Sequence, residues 1–263
     1  MKFSEIIMER TYAINGAVDL IYNKYIKADI DRLNKHLKGG RNPGYNLTPP
    51  EATMVTSAEI ARLTNNRAIK AAHAVNPISV WFNNPSSLGN SYIPDYKWIT
   101  LDVADQLFRL IHNYNIRSLK QVQALVPEKM ARMLEKDLNG ELIKQTLAHE
   151  LAHWIDDSLN DSHITKHLDK KKQGSARETT RGKSIDADTI EVQAQIHSIK
   201  QAKRNVSAET WDNLTFDQLF SGEYPSLDVI RGMFADNPKM MRQWKRLLFK
   251  RMSREGLLGK NMR

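Results

Sequence analysis

Apolar residues recur at three- and four-residue spacing across residues 12–37, at Val18, Ile21, Tyr22, Tyr25, Ile26, Ile30, Leu33 and Leu37, which predicts one long helix. Gly39-Gly40 and Asn42-Pro43-Gly44 end that pattern. Thr56 and Glu59 form a capping box ahead of Ile60, Leu63, Ile69 and Ala72, so a second helix is expected to run until Pro77 closes it. The character then changes. Ile78-Ser79-Val80-Trp81-Phe82 and Lys97-Trp98-Ile99-Thr100-Leu101 are rich in aromatic and β-branched residues, lie between turn residues, and read as two strands.

Helical periodicity returns after Asp102 with Leu107, Phe108, Leu110 and Ile111, then in pieces that stop near Pro127 and at Asn139-Gly140. A further helix covers 141–158. Residues 160–188 are poor in apolar side chains and contain Lys170-Lys171-Lys172, which predicts a loop. A helix resumes near 189 and reaches about 204, and shorter helices broken at Gly222, Pro225 and Pro238 complete the chain. No repeat and no second β-rich block is present.

The element pattern is thus α+β and mostly helical with a small sheet. It divides into an N-terminal helical region (1–76), a core (77–205) and a C-terminal helical region with a basic tail (206–263). A chain of 263 residues with 41% hydrophobic content can bury a sizeable core. No run is apolar enough to span a membrane, and no secretory leader is visible at the amino terminus. Cysteine is absent, which excludes thiolate zinc sites and a cysteine nucleophile and fits a cytoplasmic protein, free or within a larger assembly. Any metal must be held by His, Asp or Glu. No Walker loop or dinucleotide fingerprint supports nucleotide chemistry.

Charge is concentrated. Residues 239–263 contribute +8 and residues 166–183 contribute +5 to a net charge of +9, so the remainder of the chain sums to −4. In the tail, Met240, Met241, Trp244, Leu247 and Leu248 form one stripe while Lys239, Arg242, Lys245, Arg246, Lys250 and Arg251 fill the other sides. This basic amphipathic helix suits a nucleic acid, an anionic membrane or an acidic partner protein, or is the solvated face of a packed helix.

The chemistry lies in Thr146-Leu147-Ala148-His149-Glu150-Leu151-Ala152-His153-Trp154-Ile155-Asp156-Asp157, an H-E-x-x-H pattern on an expected helix. Four residues is about one turn, so His149 and His153 share a face and can offer two imidazoles to one ion. Glu150 sits about 100° around the helix, where it can take a proton from zinc-bound water without being a ligand. Leu147, Leu151 and Trp154 supply the buried stripe. A third protein ligand is required, and spacing leaves Glu191, His163, His167 and Asp157 open. Asp188 and Glu191 also fit a capping box, a purely structural role for Glu191. His36, His73 and His112 read as ordinary packed or surface histidines, and the five tryptophans as core, with Trp244 the one alternative stacking platform.

The segment from His149 to Asp157, followed about forty residues later by Glu191-x-x-Ala194, resembles the gluzincin metallopeptidases, particularly the group around the anthrax lethal factor catalytic domain. The resemblance covers about residues 141–200. It implies a zincin-like fold, Zn2+ on His149, His153 and Glu191, Glu150 as general base, Asp156 supporting the ligands, and hydrolysis of a protein or peptide substrate. Gln195 stands where that family has a second acid, and the family's oxyanion-stabilising Tyr is missing, since no Tyr occurs from 115 to 223. His197, His163, Arg181 and Tyr224 are the substitute donors to consider. A strand edge at Trp98–Leu101 is the expected docking edge for an extended substrate. SprT-like proteases, whose third ligand is a His, are the second resemblance and point to His163 and to nucleic acid as a partner. A third reading is a structural or nucleic-acid-binding protein with a vestigial zinc helix.

Overall fold

The computed structural model describes residues 3–39, 47–83, 90–118, 120–121, 124, 128–159, 185–220 and 238–262. Its first two helices, α1 (Phe3–Tyr25) and α2 (Lys27–Gly39), replace the single helix expected from periodicity. The break falls at Ile26, whose carbonyl accepts both Asp29 N at 3.0 Å and Ile30 N at 3.3 Å, a local three-residue tightening of the helix. Neither Gly nor Pro marks it, and the apolar spacing is hardly altered, so pattern alone missed it.

Strand β1 (Thr53–Thr56) leads directly into α3 (Ser57–Thr64) and α4 (Arg67–Val75). The capping box is present: Thr56 Oγ1 accepts Glu59 N, and Thr56 N donates to Glu59 Oε2 at 3.0 Å. The expected second helix is nonetheless two. Asn65 ends α3 in the left-handed conformation (φ 49°), and Asn66 Oδ1 starts α4 by accepting Ala68 N and Ile69 N. Asparagine suits both tasks, because its short amide tolerates positive φ and caps free N–H groups.

Strands β2 (Ser79–Phe82), β3 (Ser91–Ile93) and β4 (Trp98–Leu101) complete one mixed sheet of order β1-β2-β4-β3. β2 and β4 run parallel, with Val80 beside Ile99, and the outer pairs are antiparallel. Trp98–Leu101 therefore lies inside the sheet. The edges are β1 and β3, a correction to the expected docking edge that follows from a three-residue β3 too short to register as a strand in the sequence.

Helices α5 (Val103–Asn113) and α6 (Glu128–Leu138) follow. Gly140, at φ +74°, then turns the chain into the motif helix α7 (Glu141–Leu159). That turn passes so close to Tyr22 that an added Cβ would stand 2.3 Å from its hydroxyl oxygen. One hydrophobic core runs from Ile14 of α1 through the sheet to Ile155 of α7. Leu147, Leu151 and Trp154 are fully buried within it, each adding roughly 2 kcal/mol through burial of apolar area.

A second core gathers α8 (Ile185–Arg204), α9 (Ala208–Asn213) and α10 (Pro238–Arg254) around Trp211, Trp244, Leu248 and Met252. Its buried ion pair, Lys200 Nζ to Glu255 Oε2 at 2.8 Å, ties α8 to the end of α10. The architecture is a mostly helical α+β protein with one small four-stranded mixed sheet. No helix among the described residues is long and apolar enough to cross a membrane.

Candidate metal centre

Helix α7 is wrapped on nearly every side. Its buried residues include the polar Gln145, Glu150, His153, Asp157 and Ser158 as well as the apolar stripe. A helix buried all round normally carries few polar groups, so each of these needs a partner or a task.

The two motif histidines meet. His149 Nε2 and His153 Nε2 are 3.0 Å apart, with their rings perpendicular and centroids 4.5 Å apart. Zinc–nitrogen bonds of about 2.0–2.1 Å at tetrahedral angles set two ligand nitrogens about 3.3 Å apart. The observed spacing fits one shared ion. Burial lowers the pKa of His153 to about 4, so its imidazole is neutral, the form a metal requires.

Glu150 is positioned by the sheet. The backbone N–H of Tyr92 on β3 donates to Glu150 Oε2 at 2.6 Å. The hydroxyl of the same tyrosine donates to Asp157 Oδ2 at 2.9 Å and accepts from Asn76 Nδ2 at 3.2 Å. Trp154 Nε1 closes this network on the Asn76 carbonyl at 2.9 Å. Asp157, an open choice for third ligand from spacing alone, is thus engaged by Tyr92. The role of Tyr92 is not legible in the sequence, because it arises from a contact between residues 58 positions apart and β3 carries no strong strand signal.

The placement of Glu191 follows from helix register. Ser198 Oγ donates to the Gln145 carbonyl at 3.0 Å, and Asp19 bridges Lys144 at 2.9 Å and Arg204 at 3.0 Å. The C-terminal half of α8 therefore lies along the N-terminal half of α7, and the two helices run antiparallel. Position 191 is seven residues before Ser198, about 20° from it around the axis and roughly 10 Å along it. The same step along α7 from Gln145 arrives at Ala152, next to His153. Position 191 thus lies on the same side of α8 as Ser198.

The helix also begins at Ile185, so Asp188 and Glu191 are within it and the N-terminal capping role expected for them does not apply. The side chain of Glu191 lies outside the described residues. Among the described residues no group of three His, Asp or Glu side chains converges as a complete ligand set.

Gln195 is buried one turn after Glu191, on the same side of α8. His197 is buried as well, and its Nδ1 has no hydrogen-bond partner among the described residues. Burial is the largest cause that lowers its pKa to about 3, followed by the charges of Lys200, His149, Arg251 and His153. His197 is therefore a neutral imidazole in the electrostatic neighbourhood of the motif pair. Asp156 is half-buried on α7. His163, His167, Arg181 and Tyr224 lie outside the described residues.

The remaining histidines hold no such position. His73 Nδ1 is bonded to Ser57 Oγ at 2.8 Å, and His112 stacks on Phe108. Trp244 is buried in the second core, which removes it as a stacking platform. Comparison with known protein families, with curated proteins and with solved structures finds no match to this chain.

Proposed function

We propose that the protein is a zinc-dependent metallopeptidase with a zincin-like core, in which His149, His153 and Glu191 hold Zn2+ and Glu150 is the general base. The observation that carries this reading is the convergence of two imidazoles, a half-buried His149 and a buried His153, 3.0 Å apart at Nε2, beside a carboxylate aligned by an edge strand. A structural helix has no use for that combination. A buried carboxylate without a task would cost several kcal/mol.

Bound zinc supplies Lewis acidity, polarising a substrate carbonyl and acidifying water. The chain's own residues do the rest. The Tyr92 N–H fixes Oε2 of Glu150, so the second carboxylate oxygen is the one that takes a proton from the attacking water and returns it to the leaving amine. An extended peptide approaching the open edge of β3 meets the strand that holds this base. His197 is the buried neutral imidazole nearest in role to an oxyanion donor, and Gln195 a neutral neighbour for a ligand imidazole.

Elemental mass spectrometry of the purified protein tests the reading. About one zinc per chain is expected, lost in His149→Ala and in Glu191→Ala, and kept in Glu150→Gln, which loses peptide hydrolysis. His163→Ala is expected to keep its metal, whereas loss there with retention in Glu191→Ala would favour a SprT-like ligand set. No zinc after reconstitution, or full activity in Glu150→Gln, would overturn the proposal and leave a protein with a vestigial zinc helix.

A further inference from the structure

We propose that the solvent-facing crest of α10 is a nucleic-acid interface that grips the phosphate backbone. On a helix that turns about 100° per residue, Lys239, Arg242, Arg246, Lys250 and Arg254 fall within an arc of about 120°. All five are exposed. The other exposed residues on this crest, Gln243 and Ser253, are uncharged, so it carries no acid.

The opposite side of the helix is already used. Trp244, Leu248 and Met252 are buried in the second core, with Met241 and Leu247 packed against it. A membrane-lying helix needs its apolar face free to enter the lipid, and this one has none to offer.

The flanking cations are spent inside the protein. Lys245 pairs with Asp217 at 2.6 Å, and Arg251 pairs with Glu255 at 3.2 Å. The five crest cations have no ion pair among the described residues. They form a band roughly 22 Å long with axial steps of about 4.5–6 Å, from the 1.5 Å rise per residue.

A row of evenly spaced cations on a rigid helix matches a partner whose charge is itself dense and regular. Duplex DNA presents a charge about every 1.7 Å of its axis, a dense and regular array of phosphates for such a row to meet. An acidic protein offers carboxylates at irregular spacing. Contacts to phosphate position a protein without reading sequence, so binding is expected to be sequence-independent.

Fluorescence anisotropy with a labelled DNA duplex of about 20 base pairs, titrated with the full chain across a range of salt concentrations, tests the inference. The wild type is expected to bind with an affinity that falls steeply with salt, at a log–log slope of about −4 to −5 for five contacts. Replacing the five cations with Gln is expected to weaken binding at low salt at least tenfold and to reduce the slope by about 4, and Arg246→Gln alone by about 1.

Because these side chains are exposed, the variants should keep the wild-type circular dichroism. The single substitution preserves the test if the fivefold variant does not fold. Glu150→Gln should bind like the wild type, so this result is separable from that for the metal centre. The proposal is overturned if the crest variants bind like the wild type, or if Lys170→Gln, Lys171→Gln and Lys172→Gln together abolish binding while the crest variants do not. It is also overturned if polyglutamate or phosphatidylserine vesicles bind as tightly as DNA.

Discussion

Tyr92 holds Glu150 by its backbone: the N–H of this edge-strand residue donates to Oε2 of the motif glutamate at 2.6 Å. The same residue reaches Asp157 with its hydroxyl at 2.9 Å, so one tyrosine joins the sheet to the motif helix at two points about two turns apart. These two bonds separate under mutation. Tyr92→Phe keeps the N–H and should leave Glu150 in place and zinc content unchanged. It leaves the buried Asp157 short of a donor, a cost of about 1–3 kcal/mol. Thermal unfolding alongside metal analysis checks this, and a loss of zinc in Tyr92→Phe would show that the hydroxyl matters to the metal site.

The Lys200–Glu255 pair is 4% and 6% exposed at its two side chains, and Glu255 also pairs with Arg251 at 3.2 Å. Glu255→Ala leaves the ammonium buried without this carboxylate and is expected to destabilise the protein by about 3 kcal/mol or more. Lys200→Met combined with Glu255→Leu should recover most of that loss, since an apolar pair of similar volume carries no desolvation cost. Denaturant unfolding of the single and double variants decides. Additive losses would mean the two residues act independently.

Burial raises the Asp137 carboxyl from 3.8 to about 7. The unfolded chain releases this proton near pH 4, so between about pH 4 and 7 the folded state holds the extra proton. Stability contributed by the protonated form is thus present at pH 4, declines as pH rises and is lost above pH 7. Asp137→Asn should remove this dependence. A gain on the order of 2 kcal/mol, or about 5 °C in Tm, is expected at pH 8, allowing for the partial exposure of the group. The gain should vanish near pH 4, and an equal gain at both pH values would place its origin elsewhere.

Gly140 combines φ +74° with a neighbour, Tyr22, that leaves no room for a side chain. Gly140→Ala incurs about 1–2 kcal/mol for the left-handed backbone and more for displacing the ring. Because this turn fixes where α7 begins, the variant is expected to lose zinc affinity as well as stability. Retention of both, measured by calorimetry and metal titration, would show that the turn tolerates a different path.

The sequence by itself determined the local features. His149 and His153 share a face because four residues make about one turn, Thr56 and Glu59 cap because their spacing matches free N–H groups, and α10 is amphipathic because its residues alternate at helical period. These depend on neighbours within a few positions, which the chain order supplies directly.

What needed tertiary structure was every relationship between distant segments. The strand order places Trp98–Leu101 inside the sheet and β3 at an edge, and the Ser198–Gln145 contact joins α8 to α7. Tyr92 finds Glu150, and the stripe of α10 is buried while its crest is exposed among the described residues. The reason is physical: periodicity states which face of an element is apolar, but which partner covers that face is decided by the packing of the whole chain.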